Sequence, residues 1–207
     1  MSHTVHVGIY NTWADWEAGF ALAHLGSGDW TSPRTSYDIR LVGESAEPVT
    51  TKAGIKLTPD MVLSDLQPED STMLILPGAD TWLAGENLAF VEAARAFLGA
   101  NVPVAAICGA TIGLARGGLL NDVDHTSNAV ETLECPEYTG AARHMHELAV
   151  TDGNLITASG IAPVEFAREI FTLLDFYDAA TVAYWYALYG EHDPAGFFGL
   201  MQGAADG

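Results

Sequence analysis

The run VAAICGATIG, residues 104–113, constrains the fold of this chain more than any other feature. Its first four residues predict a buried strand and its last five a helix, so Cys108 lies where one turns into the other. Small residues on both sides allow the tight backbone of a nucleophile elbow. The thiol would face a helix N-terminus, which favours the thiolate, at the carboxyl ends of the strands, where ligand clefts form. We therefore predict a functional Cys108 rather than a buried structural cysteine.

Short apolar runs alternate with helical patterns along the rest of the chain, which predicts an α/β fold with a mainly parallel sheet. Strands are predicted at 5–9, 37–43, 72–76, 102–107, 148–150 and 154–157, with a hairpin at 49–60 that turns near Ala53–Gly54. Helices are predicted from about Trp16 to Leu25 and at 87–98, 109–116, 163–174 and 179–189. We expect a single domain over 1–207, with its core at about 5–189 and a glycine-rich tail at 190–207 that frays at its end.

Charge and cysteine content exclude several classes of function. The formal net charge is −19, from 27 acidic and 8 basic residues. Nucleic acids and anionic membranes are bound by clustered cations, so we predict neither as a partner. The two cysteines, Cys108 and Cys135, cannot form a disulfide framework, and with no signal peptide visible we expect a cytoplasmic protein. The uncharged stretch 96–115 contains glycines and a proline that favour a strand and helix over a membrane span.

Four motifs together resemble the ThiJ/PfpI superfamily. They are AAICGAT at 105–111, PGA at 77–79, DWEAG at 15–19 and HTSN at 125–128, and the resemblance runs from about Val5 to Tyr189. It implies the flavodoxin-like three-layer sandwich of the class I glutamine amidotransferase domain. It also implies a homodimer that acts on a small molecule without a cofactor.

The resemblance assigns roles to single residues. Cys108 matches the elbow nucleophile, and Glu17 matches the acidic residue that hydrogen-bonds it. We expect the thiolate to raise the pKa of Glu17, which would then donate a hydrogen bond to sulfur. The alternative is an exposed carboxylate in a first helical turn. The backbone N–H groups of Gly78 or Ala79, with Gly109, match an oxyanion hole. Ala79 stands where relatives have a second glycine. The alanine is tolerated there if its φ angle is negative.

The match weakens at the third member of the site. Many relatives carry His where this chain has Asn128, which can hydrogen-bond but cannot act as a general base. His125 would point to the opposite face of a strand and is read as a structural histidine unless it serves as the base. The pairs His144–His146 and His3–His6 supply too few ligands, so we predict no metal site. Glu165 lacks the His of an amidotransferase triad, so we predict no glutamine amide transfer.

The aromatic residues leave their roles open. Trp13, Trp16 and Trp82 follow predicted strands and fit a cleft lining, the core or an oligomer interface equally well. Trp185, in the last predicted helix with Tyr184, Tyr186 and Tyr189, is read as packing. Cys135 is read as a loop residue.

Two functions of different class remain. The first is a cofactor-independent cysteine enzyme of glyoxalase, deglycase, amidase or hydratase type, acting on a small carbonyl or amide compound through Cys108. The alternative is a non-catalytic stress or redox-response protein in which Cys108 is reversibly oxidised. Asn128 favours the alternative, and the oxyanion groups favour the enzyme.

Overall fold

Nine strands and seven α-helices follow one another in the part of the chain that the computed structural model describes, residues 3–31 and 34–205. The strands are β1 (Thr4–Ile9), β2 (Asp38–Gly43), β3 (Val49–Thr50), β4 (Lys56–Leu57), β5 (Met61–Val62), β6 (Met73–Leu76), β7 (Val104–Ile107), β8 (Ala149–Asp152) and β9 (Leu155–Ala158). The helices are α1 (Gly19–Ser27), α2 (Asp80–Leu83), α3 (Leu88–Gly99), α4 (Gly109–Arg116), α5 (Pro163–Leu173), α6 (Ala179–Tyr189) and α7 (Ala195–Ala205).

Seven of these strands form one sheet in the order β5-β2-β1-β6-β7-β9-β8. All neighbouring pairs are parallel except β8 and β9, which are joined as an antiparallel hairpin. The strands β3 and β4 form the separate hairpin predicted at 49–60. The predicted α/β class with a mainly parallel sheet is therefore confirmed.

Helices cover both faces of the sheet. The helices α1, α5 and α6 pack together on one face, and α2, α3 and α4 pack on the other. The central strands β6, β7 and β9 are buried along their whole length, as expected for strands covered on both sides. This burial explains why β6 and β7 are continuous apolar runs in the sequence.

The first helix begins later than predicted. The helix α1 starts at Gly19, so Trp16 and Glu17 lie in the preceding turn. Both side chains bond to the ends of other strands: Trp16 Nε1 donates to Gly160 O at 3.0 Å, and Glu17 Oε2 accepts from Gly78 N–H at 2.5 Å. These long-range bonds hold the turn outside the helix that local pattern favours.

The glycine-rich tail contains a helix that the sequence analysis did not predict. The helix α7 packs against α6, and Leu200 is buried between them and the core. Gly199 permits the close approach, because a Cβ there would lie 2.3 Å from Cδ1 of Tyr184. The predicted fraying falls on the last two residues, outside the described part of the chain. None of the described helices is long and apolar enough to cross a membrane.

Candidate active site

The candidate site lies at the carboxyl edge of the four adjacent parallel strands β1, β6, β7 and β9. Glu17 follows β1, Gly78 follows β6, Cys108 follows β7 and Gly160 follows β9. Loops from neighbouring parallel strands converge at this edge, which is where α/β folds bind ligands. Residues that are up to 143 positions apart in the chain meet here because of sheet order alone.

Cys108 occupies the sharp corner that the sequence predicts. It is the residue before α4 and adopts φ 58° and ψ −123°, a backbone conformation that residues other than glycine rarely adopt. Such a backbone costs about 1–3 kcal/mol and persists only where the surroundings fix it. Here the Cys108 N–H donates to Ala158 O at 2.9 Å, and its carbonyl accepts from Thr111 Oγ1 at 2.6 Å. The elbow is therefore held on both sides.

Glu17 lies against Cys108, as the resemblance implies, and is fully buried. Two glycines make room for the pair. A Cβ at position 160 would lie 2.7 Å from Cys108 Sγ and 3.3 Å from Glu17 Oε1, and a Cβ at position 78 would lie 2.7 Å from Glu17 Oε2 and 2.8 Å from Cys108 Cβ. The Glu17 carboxyl and the Cys108 side chain therefore both lie next to Gly78 and Gly160. Glu17 Oε1 has no hydrogen-bond partner among the described residues.

Burial raises the pKa of both groups. The pKa of Glu17 rises to about 7, because desolvation outweighs the hydrogen bond from Gly78, the contact with the Cys108 thiol and the charge of Lys52. The pKa of Cys108 rises to about 11, mainly through burial and then through the negative charge of Glu17. The raised pKa of Glu17 was expected, but its main cause is burial rather than the thiolate. The expected stabilisation of the thiolate is contradicted, because burial and the Glu17 charge raise the pKa of Cys108 instead of lowering it.

Asn128 contacts the sulfur, and its orientation is determined. Its Oδ1 accepts from Gly160 N–H at 2.8 Å and from Ser159 Oγ at 3.3 Å. Its Nδ2 therefore faces Cys108 Sγ, to which it donates at 3.2 Å. An amide held in this way is a fixed donor to the sulfur and has no capacity to accept its proton.

The predicted oxyanion hole is corrected at one position. The Gly78 N–H is already bonded to Glu17 Oε2, so it is not free to bind a substrate oxygen. The Ala79 N–H makes no hydrogen bond to any described residue. The φ of Ala79 is −160°, so an alanine fits at this position without strain. A Cβ on Gly109 would lie 3.4 Å from Ala79 N, so the two residues are adjacent. The Gly109 N–H hydrogen-bonds the Cys108 sulfur, so the Ala79 N–H is the remaining donor of the predicted set.

These groups line a small cavity of about 110 Å³. This volume is well below the roughly 300–1,000 Å³ of pockets that take drug-sized ligands, which fits a small ligand. Its walls are Ala14, Trp16, Glu17, Lys52, Ala79, Asp80, Leu83, Cys108, Gly109, Ile112 and Asn128. No group of three or more potential metal ligands occurs among the described residues.

The DJ-1/PfpI family model matches residues 3–173, and so covers the sheet, the elbow and Glu17. The chain belongs to the DJ-1/PfpI family. Among curated proteins it is 38% identical over 204 residues to the uncharacterized protease YoaZ of Bacillus subtilis (strain 168), with 97% of each chain covered. It is 32% identical over 170 residues to the uncharacterized protease YdeA of the same organism, with 81% of each covered.

Solved structures of the family agree with the fold. The thiJ/pfpI family protein from Bacillus anthracis superposes with a TM-score of 0.93 at 37% identity, covering 98% of this chain and 97% of that one. The DJ-1 superfamily protein Atu0886 from Agrobacterium tumefaciens gives 0.82 at 31% identity, covering 93% and 100%. The flavodoxin-like sandwich of the DJ-1/PfpI family is therefore the fold of this chain.

His125 does not line the cavity that contains the Cys108 sulfur. The structure therefore does not support His125 as a general base in this DJ-1/PfpI site. Residues 125–128 form no strand; His125 makes only an isolated bridge with His144. Its Nδ1 bonds Val123 O and its Nε2 bonds Tyr138 Oη, each at 2.8 Å. Both nitrogens of the buried ring are occupied, as in a structural histidine.

The other candidates also lie outside the cavity. His6 bonds Ser71 Oγ at 2.9 Å, and Glu165 accepts from Tyr186 Oη at 3.0 Å. Among the tryptophans, Trp13, Trp82 and Trp185 are buried in the core, whereas Trp16 is half exposed and lines the cavity. Cys135 and the pair His144–His146 do not line it.

Sequence reasoning missed three residues of the site. Gly160 carries no side chain, although a glycine three residues after the predicted strand 154–157 was an available signal. Lys52 and Asp80 lie at the cavity because a hairpin and a short helix meet there. In the sequence, Lys52 is distinguished only as one of eight basic residues.

Proposed function

We propose that this protein is a cofactor-independent cysteine enzyme that adds Cys108 to a small carbonyl or amide compound. The observation that carries the proposal is the buried contact between Cys108 and Glu17, beside the free Ala79 N–H. A carboxyl with a pKa near 7 is suited to take and return a proton at neutral pH.

The first step would be the addition of the Cys108 thiol to the carbonyl group of the substrate. The Sγ–H bond of Cys108 breaks, its proton moves to the Glu17 carboxylate, and a bond forms between Sγ and the carbonyl carbon. The π electrons move to oxygen, and the Ala79 N–H stabilises the resulting oxyanion. Glu17 then returns the proton to that oxygen, or to the leaving nitrogen of an amide. Asn128 holds the sulfur in place throughout.

Turnover of methylglyoxal, small amides and isonitriles tests the proposal, with methylglyoxal and water expected to yield the 2-hydroxy acid. Cys108→Ala should abolish turnover. Glu17→Gln should lower kcat by about 10²–10⁴-fold, the usual contribution of a positioned acid or base. Cys135→Ala is the matched control and should match wild type. Turnover that survives in Cys108→Ala, or no turnover of any compound in the set by the wild type, would overturn the proposal.

Reversible oxidation of Cys108 is a second candidate. It is favoured by Asn128, because an amide in place of an imidazole leaves Glu17 as the one titratable group that contacts the thiol among the described residues. Against it stands the raised pKa of Cys108, since peroxide reacts with thiolates. Peroxide titration followed by intact mass distinguishes the two: a redox role requires Cys108 to be oxidised faster than Cys135.

A further inference from the structure

One ion pair lies at the Cys108 cavity. Lys52 Nζ is 2.6 Å from Asp80 Oδ1, and both side chains are about half exposed. Both residues line the cavity, and Lys52 is the only basic residue among its described walls. The charges a substrate meets there are those of Lys52, Asp80 and Glu17.

Backbone contacts fix the main chain of both residues beside the loop that follows β1. The Lys52 N–H donates to Trp13 O at 2.9 Å, and the next residue, Ala53, donates to Asp15 Oδ2 at 2.8 Å. On the other side, the Asp80 N–H donates to Thr12 Oγ1 at 2.8 Å. The ion pair therefore joins two segments that are each anchored independently of it.

The resulting charge balance disfavours anions. Asp80 neutralises Lys52, Glu17 adds negative charge when ionised, and Asp15 adds another carboxylate beside the hairpin. The whole chain carries a net charge of −19. An anionic ligand would meet no uncompensated basic side chain among the described walls, whereas an uncharged carbonyl compound meets no such repulsion.

We propose that Asp80 is a specificity-determining residue: by holding Lys52 in an ion pair, it excludes anionic compounds and admits uncharged carbonyl compounds to Cys108. The identity of the substrate as a carbonyl compound rests on the proposed function. The charge selection itself is a property of the cavity, so it can be measured without turnover.

Iodoacetamide and iodoacetate test the selection directly, because they differ in charge and little in size. Each alkylates a thiol by forming an S–C bond and releasing iodide. The readout is the ratio of the two alkylation rates at Cys108, followed by peptide mapping at low salt. Cys135 in the same molecule gives the reference ratio, and the ratio at Cys108 cancels any change in its thiolate fraction. We expect wild-type Cys108 to prefer iodoacetamide more strongly than Cys135 does.

The two members of the ion pair should act in opposite directions. Asp80→Asn frees Lys52 and should lower the preference for iodoacetamide about three- to tenfold, whereas Lys52→Met should raise it by a similar factor. Lys56→Met, on the same hairpin but outside the cavity, is the matched control and should leave the ratio unchanged. Added salt should reduce all of these effects.

Equal ratios in wild type and both variants, or shifts of both variants in the same direction, would overturn the proposal. Protection of Cys108 by methylglyoxal and by anionic glyoxylate forms the second arm. If the alkylation ratios behave as expected and neither carbonyl compound protects the thiol, the selection stands and the proposed function fails.

Discussion

Cys108 and Glu17 share a buried pocket in which burial makes the ionisation of both groups less favourable, and the charge of Glu17 further disfavours the thiolate. The N-terminus of α4 stabilises a negative charge by only about 0.3–1 kcal/mol in ordinary positions. That is less than the combined effect of burial and of the Glu17 charge, so the pKa of the thiol rises to about 11. The pair therefore keeps one proton well above neutral pH, and Glu17 is the group able to exchange a proton near pH 7.

At the residue scale, Glu17→Gln should stabilise the protein at pH 8 and change little at pH 4. The folded state raises the pKa of Glu17 from 4.5 to about 7, so it holds the proton more tightly than the unfolded state. The carboxyl therefore costs no stability below about pH 4.5 and about 3 kcal/mol above pH 7. We expect the Tm of Glu17→Gln to exceed that of wild type by about 3–10 °C at pH 8.

Thermal denaturation at both pH values checks this prediction. Glu47→Gln, at an exposed carboxyl, is the control and should show no such pH dependence. An equal difference in Tm at pH 4 and pH 8 would mean that Glu17 is not held protonated by burial.

At the scale of elements, the elbow depends on the loop that follows β9 as much as on its own residues. Gly160 contacts the elbow from the neighbouring strand, and its N–H orients Asn128. The strained corner at Cys108 is thus supported by β9 rather than by α4 alone.

Gly160→Ala should disrupt the site and destabilise the fold. The new methyl would lie 2.7 Å from Sγ and 2.9 Å from Cβ of Cys108, so the thiol or the loop must move. We expect a loss of about 1–3 kcal/mol, typical of overpacking, and slower alkylation of Cys108 than in the wild type. Gly99→Ala, at the end of α3 where nothing lies within 4 Å, is the control and should be neutral or stabilising. Wild-type stability and reactivity in Gly160→Ala would contradict the close contact.

His24 connects α1 to α6 through hydrogen bonds that require a neutral ring. Trp185 Nε1 donates to Nε2 at 3.0 Å, so that nitrogen carries no proton. Tyr177 Oη donates to Asp29 O and therefore accepts from Nδ1–H, at 3.2 Å. Burial lowers the pKa of His24, which keeps the ring in this neutral tautomer.

His24→Phe should cost about 2–3 kcal/mol at pH 7, because it leaves the buried Trp185 N–H unpaired. Its deficit relative to wild type should shrink as the pH falls below about 6.5. In wild type the unfolded state takes up a proton there and the folded state does not, so the contribution of neutral His24 is lost on acidification. Urea denaturation at pH 7.5 and pH 5.5 measures both terms. A deficit that grows on acidification would contradict the neutral tautomer.

At the scale of the whole molecule, the net charge of −19 is the dominant electrostatic feature. The six ion pairs found in the described part of the chain are mostly exposed, so each contributes little. Repulsion among the unpaired carboxylates opposes the compact state and is screened by salt.

Raising NaCl from 0.05 M to 1 M should therefore increase the Tm, by about 5 °C if screening relieves roughly 1–2 kcal/mol. Calorimetry at pH 7 measures the change, with a neutral osmolyte at equal osmolality as the control. A Tm that falls with NaCl would show that the ion pairs outweigh the repulsion.

We propose a homodimer, and the α6–α7 hairpin is the surface that favours it. Neither helix contains a charged residue, and Phe198 and Met201 of α7 are at least half exposed. An uncharged apolar face is where two copies of a strongly acidic chain can meet, and twofold dimers are the commonest assemblies. Light scattering should give twice the chain mass of 22.0 kDa, and Phe198→Asp should halve it, whereas Leu88→Asp, at an exposed site on α3, should not. A wild-type mass of one chain would rule out the dimer.

The sequence by itself determined the α/β class, the elbow at Cys108 and the pairing of Cys108 with Glu17 that the family resemblance implies. The class and the elbow follow from local periodicity and from small residues at a corner, whereas the pairing is only what the resemblance of separate motifs implies. Only the tertiary structure decided that Gly78 donates to Glu17, that Asn128 rather than His125 meets the sulfur, and that burial raises the pKa of the thiol. Each of these depends on which distant groups the sheet order buries together, because burial and hydrogen-bond competition act between strand ends and not along the chain. The helix α7 was missed for the same reason: its glycines disfavour a helix locally and are used in packing against α6.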